Sequence, residues 1–164
     1  MKFYVKLEHF ARHRSFKLRD ASQGELFRIK GRFLFGLREL VMTDMNNEVL
    51  YKLHRRFAPH FNRLYHVHDE EGKILARITK TAGLFRPDYT MTVEDKAVTF
   101  GGVIRKHQFS LHLENKKVAE IRRGTFSFGD AYEIEVTTEQ KPLLHLFLVI
   151  VIDQMNHERK RFRT

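Results

Sequence analysis

Cysteine is absent from the 164-residue chain, which excludes a disulfide framework, a thiolate metal site and a cysteine nucleophile. Proline is scarce. Pro59, Pro87 and Pro142 are the three present, and none falls inside a clear alternating run, so no predicted strand is interrupted. Acidic residues are in deficit: 20 Asp and Glu face 30 Lys and Arg, a formal net charge of +10. Such an excess favours polyanionic partners (nucleic acid, anionic membrane surfaces, acidic proteins), or merely keeps a small protein soluble. Also missing are a Gly-x-Ser-x-Gly elbow, a P-loop and any helix-turn-helix, zinc or RNP-type pattern. The first eight residues, Met1-Lys2-Phe3-Tyr4-Val5-Lys6-Leu7-Glu8, interleave charge with apolar side chains. A signal peptide would need an apolar core there, so a cytoplasmic location is expected.

Long apolar runs are lacking as well, with one exception. From Leu143 to Ile152 the only polar residue is His145. An amphipathic surface helix would show polar positions on one face, and this segment shows none. It is shorter than the roughly 20 apolar residues that span a bilayer. It is therefore expected to be a helix buried all round in protein. Pro142 suits its first turn, and His157, Arg159, Lys160 and Arg161 suit the negative end of its dipole.

From residue 2 to residue 137 the pattern has period 2. A unit of alternating strand, Asp, turn and second strand recurs. It reads Phe16 to Asp20, Ala21-Ser22-Gln23-Gly24, Leu26 to Phe33; then Leu40 to Asp44, Met45-Asn46-Asn47, Val49 to Arg56; then Leu64 to Asp69, Glu70-Glu71-Gly72, Ile74 to Lys80. A weaker copy runs Phe109 to Glu114, Asn115-Lys116-Lys117, Val118 to Arg123. Each Asp carboxylate can accept hydrogen bonds from the turn N–H groups, with Gly or Asn supplying positive φ. Asp20, Asp44 and Asp69 are thus turn residues rather than catalytic acids. Adding Tyr89 to Val93, Ala97 to Gly101, Tyr132 to Val136 and the first strand gives about twelve strands in a hairpin meander. Gly101-Gly102-Val103 reads as a turn or bulge, and Gly124 to Gly129 as a loop before the last strand whose exposed Phe either enters a membrane interface or, as preferred here, caps the barrel end.

Half-apolar strands followed by a helix apolar on every face admit few packings. The predicted fold is mainly β: a closed antiparallel barrel of about twelve strands around the carboxyl-terminal helix, a single domain over residues 1–164. In the order of these segments the chain resembles the LURP-one-related family, which shares the tubby-like fold with tubby proteins and phospholipid scramblases. The residues that carry the resemblance are the Phe-x-Leu-x-Asp…Gly hairpin at 16–24, Val67-x-Asp69-x-x-Gly72, Val118-Ala119-Glu120-Ile121 and above all Leu146 to Met155. The resemblance implies a twelve-stranded barrel around a central helix. It also implies a tie to phosphoinositides, which tubby domains hold through basic residues. A palmitoylated cysteine segment and a separate transmembrane helix, as in scramblases, have no counterpart here.

Alternation of the first hairpin puts Phe16, Leu18, Phe27 and Ile29 inward and Lys17, Arg19, Arg28, Lys30 and Arg32 outward, with Glu25 the nearby acid. The adjoining strand adds Lys52, His54 and Arg56 outward, and Arg55 at its end. At about 1 kcal/mol per cation near an anionic leaflet, five contribute on the order of 5 kcal/mol, enough for salt-sensitive recruitment. A solvated basic face is the plain alternative. Nucleic acid ranks below lipid, because the aromatics alternate inward instead of interleaving with the cations. His66 and His68 share a strand face but lack further ligands, so no metal or cofactor is expected. His145 is expected to be a core histidine bonded to a neighbour. The function expected is a non-enzymatic binding module for anionic phospholipid or phosphoinositide head groups. Set against it are an enzyme using barrel-mouth histidines and a protein-interaction domain without a small ligand.

Overall fold

The period-2 pattern folds as twelve antiparallel strands: β1 (Lys2–Phe10), β2 (His13–Arg19), β3 (Glu25–Phe33), β4 (Leu37–Asp44), β5 (Val49–Arg56), β6 (Arg63–Asp69), β7 (Ile74–Thr81), β8 (Asp88–Val93), β9 (Lys96–Val103), β10 (Gln108–Leu113), β11 (Lys116–Phe126) and β12 (Gly129–Val136). A single α-helix, α1 (Pro142–His157), follows. The computed structural model describes residues 1–10, 13–22, 24–33, 37–56, 63–81, 88–126 and 129–157. Every strand pairs with its sequence neighbours, and β1 closes the circle on β12 in antiparallel register from Lys2–Glu135 to Val5–Tyr132. Closure of an up-and-down meander leaves no strand edge.

Eight strands make a barrel that side chains alone can fill; twelve leave a wider lumen. α1 occupies it. Leu144, Leu146, Phe147, Leu148, Val149, Val151, Ile152 and Met155 are fully buried, on all sides of the helix. They meet an inner wall that includes Phe16, Leu18, Ile29, Leu40, Met42, Leu53, Tyr65, Ile78 and Met91. Sixteen helical residues rise about 24 Å, close to the length of an eight-residue strand. Tilt shortens a sleeve of such strands to about 20 Å, so the helix is long enough to run its full height. Pro142 opens the helix, as its missing N–H allows. The cations at 159–161 lie outside the described residues.

The Asp turns share one construction. Asp20 Oδ1 accepts from the N–H groups of Ser22 and Gly24 (both 3.0 Å), Asp44 Oδ1 from Asn46 (2.8 Å) and Glu48 (3.0 Å), and Asp69 Oδ1 from Glu71 (3.0 Å) and Lys73 (2.9 Å). Positive φ falls three residues after the Asp, at Asn47 (64°) and Gly72 (84°). The equivalent in the first turn is residue 23, outside the described residues; Gly24 itself keeps an ordinary φ. Three sequence expectations are corrected here. The β10–β11 turn is Glu114-Asn115 (φ 52° and 63°), a two-residue turn of the primed kind, rather than residues 115–117. Gly101 and Gly102 lie inside β9 without a register shift, although Gly102 has φ 76°. β11 continues through Gly124 to Phe126 and β12 begins at Gly129, so strand pairing replaces most of the expected loop. The notion that its Phe residues cap the barrel falls on side chains outside those described.

Polar groups moor the far half of α1. His107 Nδ1 donates to Asp153 Oδ1 at 2.5 Å in a pair with both side chains buried. Arg14 Nη1 donates to Gln154 Oε1 (3.0 Å), Lys80 Nζ to the Met155 carbonyl (2.9 Å) and Asn156 Nδ2 to the Ile104 carbonyl (2.8 Å). Each bond satisfies a group that would be costly to bury alone. Phe147 lies at the middle of the plug, its ring stacked on Tyr51 at 6.1 Å. Phe147→Ala is expected to cost about 3–5 kcal/mol, seen as a lower denaturant midpoint at unchanged slope. A loss below about 1 kcal/mol would place this side chain outside the core.

Candidate functional site

The outer faces of β1 to β7 are set by the same alternation that points Phe16, Leu18 and Ile29 into the lumen. Cross-strand register then arranges the outward charges in rows. Lys6 stands opposite Lys17, and Lys17 opposite Arg28. Lys30 faces Val41, Val41 faces Lys52 and Lys52 faces His68. A third row runs Arg32, Glu39, His54, His66, Arg77 across five strands. The structure thus brings Lys17, Arg28, Lys30, Arg32 and Lys52 onto one continuous wall. Arg19 borders it at the β2 end, opposite Tyr4 and Glu25, and Arg56 borders it at the end of β5.

Two expectations about this wall change. Glu25 holds Arg28 at 2.6 Å, but it is not the only acid. Glu39, on β4, lies 3.0 Å from Arg32, 3.8 Å from Lys52 and 3.9 Å from His54 Nδ1. It was missed because β4 was read for its apolar positions. Arg55 does not extend the wall: it pairs with buried Tyr65 and shares the lumen-facing side of β5 with Leu53. Lys6, opposite Lys17, is a cation the sequence reading left out. Lys30 and Arg56 are exposed and take part in no ion pair among the described residues.

His66 and His68 project outward as expected, and His54 joins them, with ring centroids 5.8 Å (His54–His68) and 6.2 Å (His66–His68) apart. Among the described residues no group of three or more His, Cys, Asp or Glu is placed to hold a metal ion. Partial burial lowers the pKa of His54 and of His66, the latter further depressed by Arg56, Arg77 and His68. His54 and His66 therefore favour their neutral forms among cations.

Cavities lie at both barrel mouths. One of about 350 Å³, where α1 starts, is lined by residues that include Glu94, Lys141, Leu144 and His145. Lys141 Nζ ion-pairs with Glu94, and this hydrogen bond holds the carboxyl of Glu94 below its usual range. His145 Nδ1 donates to the Lys141 carbonyl at 3.0 Å, while its Nε2 is buried without a partner. It is a core histidine bonded to a neighbour. The second cavity, about 470 Å³, lies where α1 finishes and includes Tyr89, Phe100, Val103, Ile104, Arg105 and Lys106 in its lining. The buried His107–Asp153 pair was missed, although Asp153 interrupts the apolar run of a helix otherwise predicted to be wholly enclosed.

A family model described as LURP-one-related matches residues 1–153. The uncharacterized protein YxjI of Bacillus subtilis is 21% identical over 155 residues, which are 94% of this chain and 93% of that protein. An X-ray structure of an Arabidopsis thaliana protein superimposes with a TM-score of 0.62 at 14% identity, covering 94% of this chain and 91% of that one. The structural likeness bears on the fold alone. No described helix is long and apolar enough to cross a membrane.

Burial pushes the pKa of His145 below its ordinary value, despite the bond to Lys141. An unfolded histidine, with a pKa near 6.5, takes up its proton before the buried one does. The stability tied to the neutral side chain is thus complete above about pH 6.5 and is lost as pH falls toward the folded-state value. Denaturant midpoints are expected to drop between neutral and mildly acidic pH, and less steeply in His145→Gln. An identical pH profile in the two proteins would show that His145 is not the group responsible.

Proposed function

Given that this chain belongs to the LURP-one-related family and has its tubby-like barrel, we propose that it is a non-catalytic binding module for anionic phospholipid surfaces. The contact face is the wall carrying Lys17, Arg19, Arg28, Lys30, Arg32, Lys52 and Arg56, placed at the inner, cytoplasmic side of a membrane. One observation carries this reading. Lys6, Lys17 and Arg28 stand directly opposite one another on three adjacent strands, and Glu25 bonds the Arg28 end of that row at 2.6 Å. Like charges in directly opposed positions destabilise a sheet, by up to about 1 kcal/mol a pair. A layer of phosphates would turn that repulsion into attraction.

The wall has the outward curvature of a barrel, and its cations lie on separate strands rather than around a cleft. It suits a plane of phosphates better than a single enclosed head group. Affinity should then follow surface charge density more than head-group chemistry. Nucleic acid fits less well. The large hydrophobic residues found exposed among those described are Met1, Met45, Val49 and Val103, none of them aromatic, whereas single strands are held by stacking on exposed rings.

Flotation with phosphatidylcholine vesicles, with and without phosphatidylserine or a phosphoinositide at matched charge, tests the reading. Binding is expected to both anionic compositions and to be lost as salt shortens the Debye length from about 10 Å to about 3 Å. Neutralising Lys17, Lys30 and Arg56 together to Gln should weaken it by about a hundredfold. Changing Lys73, Lys96 and Lys116 to Gln removes the same charge elsewhere and should act more weakly. Glu39→Gln, which frees Arg32 and Lys52, should strengthen it. Equal indifference of the wild-type protein to all vesicles would discard the proposal.

A further inference from the structure

Charge is sorted along the barrel axis as well as around it. The β4–β5, β6–β7, β8–β9 and β10–β11 turns all lie at the end where α1 starts, and they carry Asp44, Glu70, Glu71, Glu94, Asp95 and Glu114. Two lysines at that end are taken up, Lys141 by Glu94 and Lys96 by Glu114 at 3.0 Å, while Lys73 and Lys116 share the turns with the acids. Among the described residues, the strand ends and the short 3-10 turn (Ile104–Lys106) at the opposite mouth carry Arg32, Arg38, Arg56, Arg105 and Lys106. Among side chains described there, the carboxylates are Glu39, already shared by Arg32, Lys52 and His54, and Asp153, sealed against His107.

The helix macrodipole does not account for this arrangement. It amounts to about half an elementary charge at each end and acts within one turn, and Lys80 on the Met155 carbonyl already answers its negative end. A cationic rim larger than the helix requires points outward, to something that is not part of the fold. The same mouth bears an apolar feature. Val103 is 47% exposed beside the exposed pair Arg105 and Lys106, at the lip of the 470 Å³ cavity walled by Tyr89, Phe100 and Ile104. The Asn156–Ile104 bond ties this lip to the end of the buried helix, so it is held in place. Apolar side chains flanked by cations suit the boundary between phosphates and acyl chains.

We infer that the protein docks end-on, presenting the mouth where α1 finishes to an anionic bilayer, with Val103 entering the interface and Arg105 and Lys106 on lipid phosphates. This rests on the anionic partner proposed above but not on the side wall as its footprint: the mouth replaces the wall as the touching surface, and the wall cations act through their field in order of nearness. Of the wall cations, Arg32 and Arg56 lie nearest that mouth and Arg19 farthest from it, so neutralising Arg32 and Arg56 should cost more than neutralising Lys17 and Arg19.

Absence of native cysteine makes a direct test available. Val103→Cys and Met45→Cys each create one labelling position, at opposite ends and with similar exposure, 47% and 43%. With an environment-sensitive fluorophore attached, phosphatidylserine-containing vesicles should blue-shift emission at position 103 and leave position 45 unchanged. Pure phosphatidylcholine should shift neither. Arg105→Gln with Lys106→Gln should lower vesicle partitioning by about thirtyfold. A shift at position 45, or none at 103 while flotation shows the protein bound, would overturn the end-on orientation and leave the lipid partner standing. Failure of the unlabelled protein to float with anionic vesicles would remove both.

Discussion

The structure depends on burying a helix that has no polar face. A segment from Leu144 to Ile152 with no water-facing side cannot rest on a sheet, because half of it would stay wet. It must be wrapped, and a wrapping sheet must close. Closure in turn demands an even meander whose first and last strands pair, which β1 and β12 do. The cost of fixing the strands is met by roughly 25 cal/mol for each Å² of apolar surface that they and the helix withdraw from water. The polar moorings at the far end, His107 on Asp153 and Arg14 on Gln154, add little net stability by themselves. They fix how deep the plug sits and how it is rotated, since any slip would strand a buried charge.

With the lumen satisfied by α1, the outside of the barrel carries no structural duty beyond solubility and cross-strand compatibility. That makes departures from compatibility informative. Opposed cations on β1, β2 and β3, and a sorting of acids to one mouth and cations to the other, are arrangements that the fold does not require. Glu39 is the counterweight, one carboxylate set among Arg32, Lys52 and His54, which keeps the wall folded without cancelling it. Histidines beside it stay largely neutral because burial and neighbouring cations oppose a further charge.

Most of this architecture is legible in the chain itself. Period-2 alternation locates all twelve strands, because one face of each is buried and the register cannot slip without exposing it. The helix is legible because its apolar run is unbroken, and the Asp turns because the carboxylate and the residue three positions later act locally. What is hidden depends on pairing across distance. Glu39 looks like an isolated acid until register sets it beside Arg32 and His54. Arg55 looks like a continuation of Arg56 until the pleat turns it inward. His107 and Asp153 are 46 residues apart and meet only because the 3-10 turn lies against the end of α1. The Gly124 to Gly129 segment reads as a loop because two glycines suggest a turn, whereas ladder pairing carries β11 to Phe126 and starts β12 at Gly129.

The enclosed helix is tested most directly by native-state hydrogen exchange of the amides from Leu144 to Asn156. If α1 can leave only when the sleeve opens, these amides exchange at the free energy of global unfolding, together with the inward-facing strands. Exchange of the helix at markedly lower free energy, with the strands still protected, would mean that the barrel stands without its plug and would contradict the account at its root.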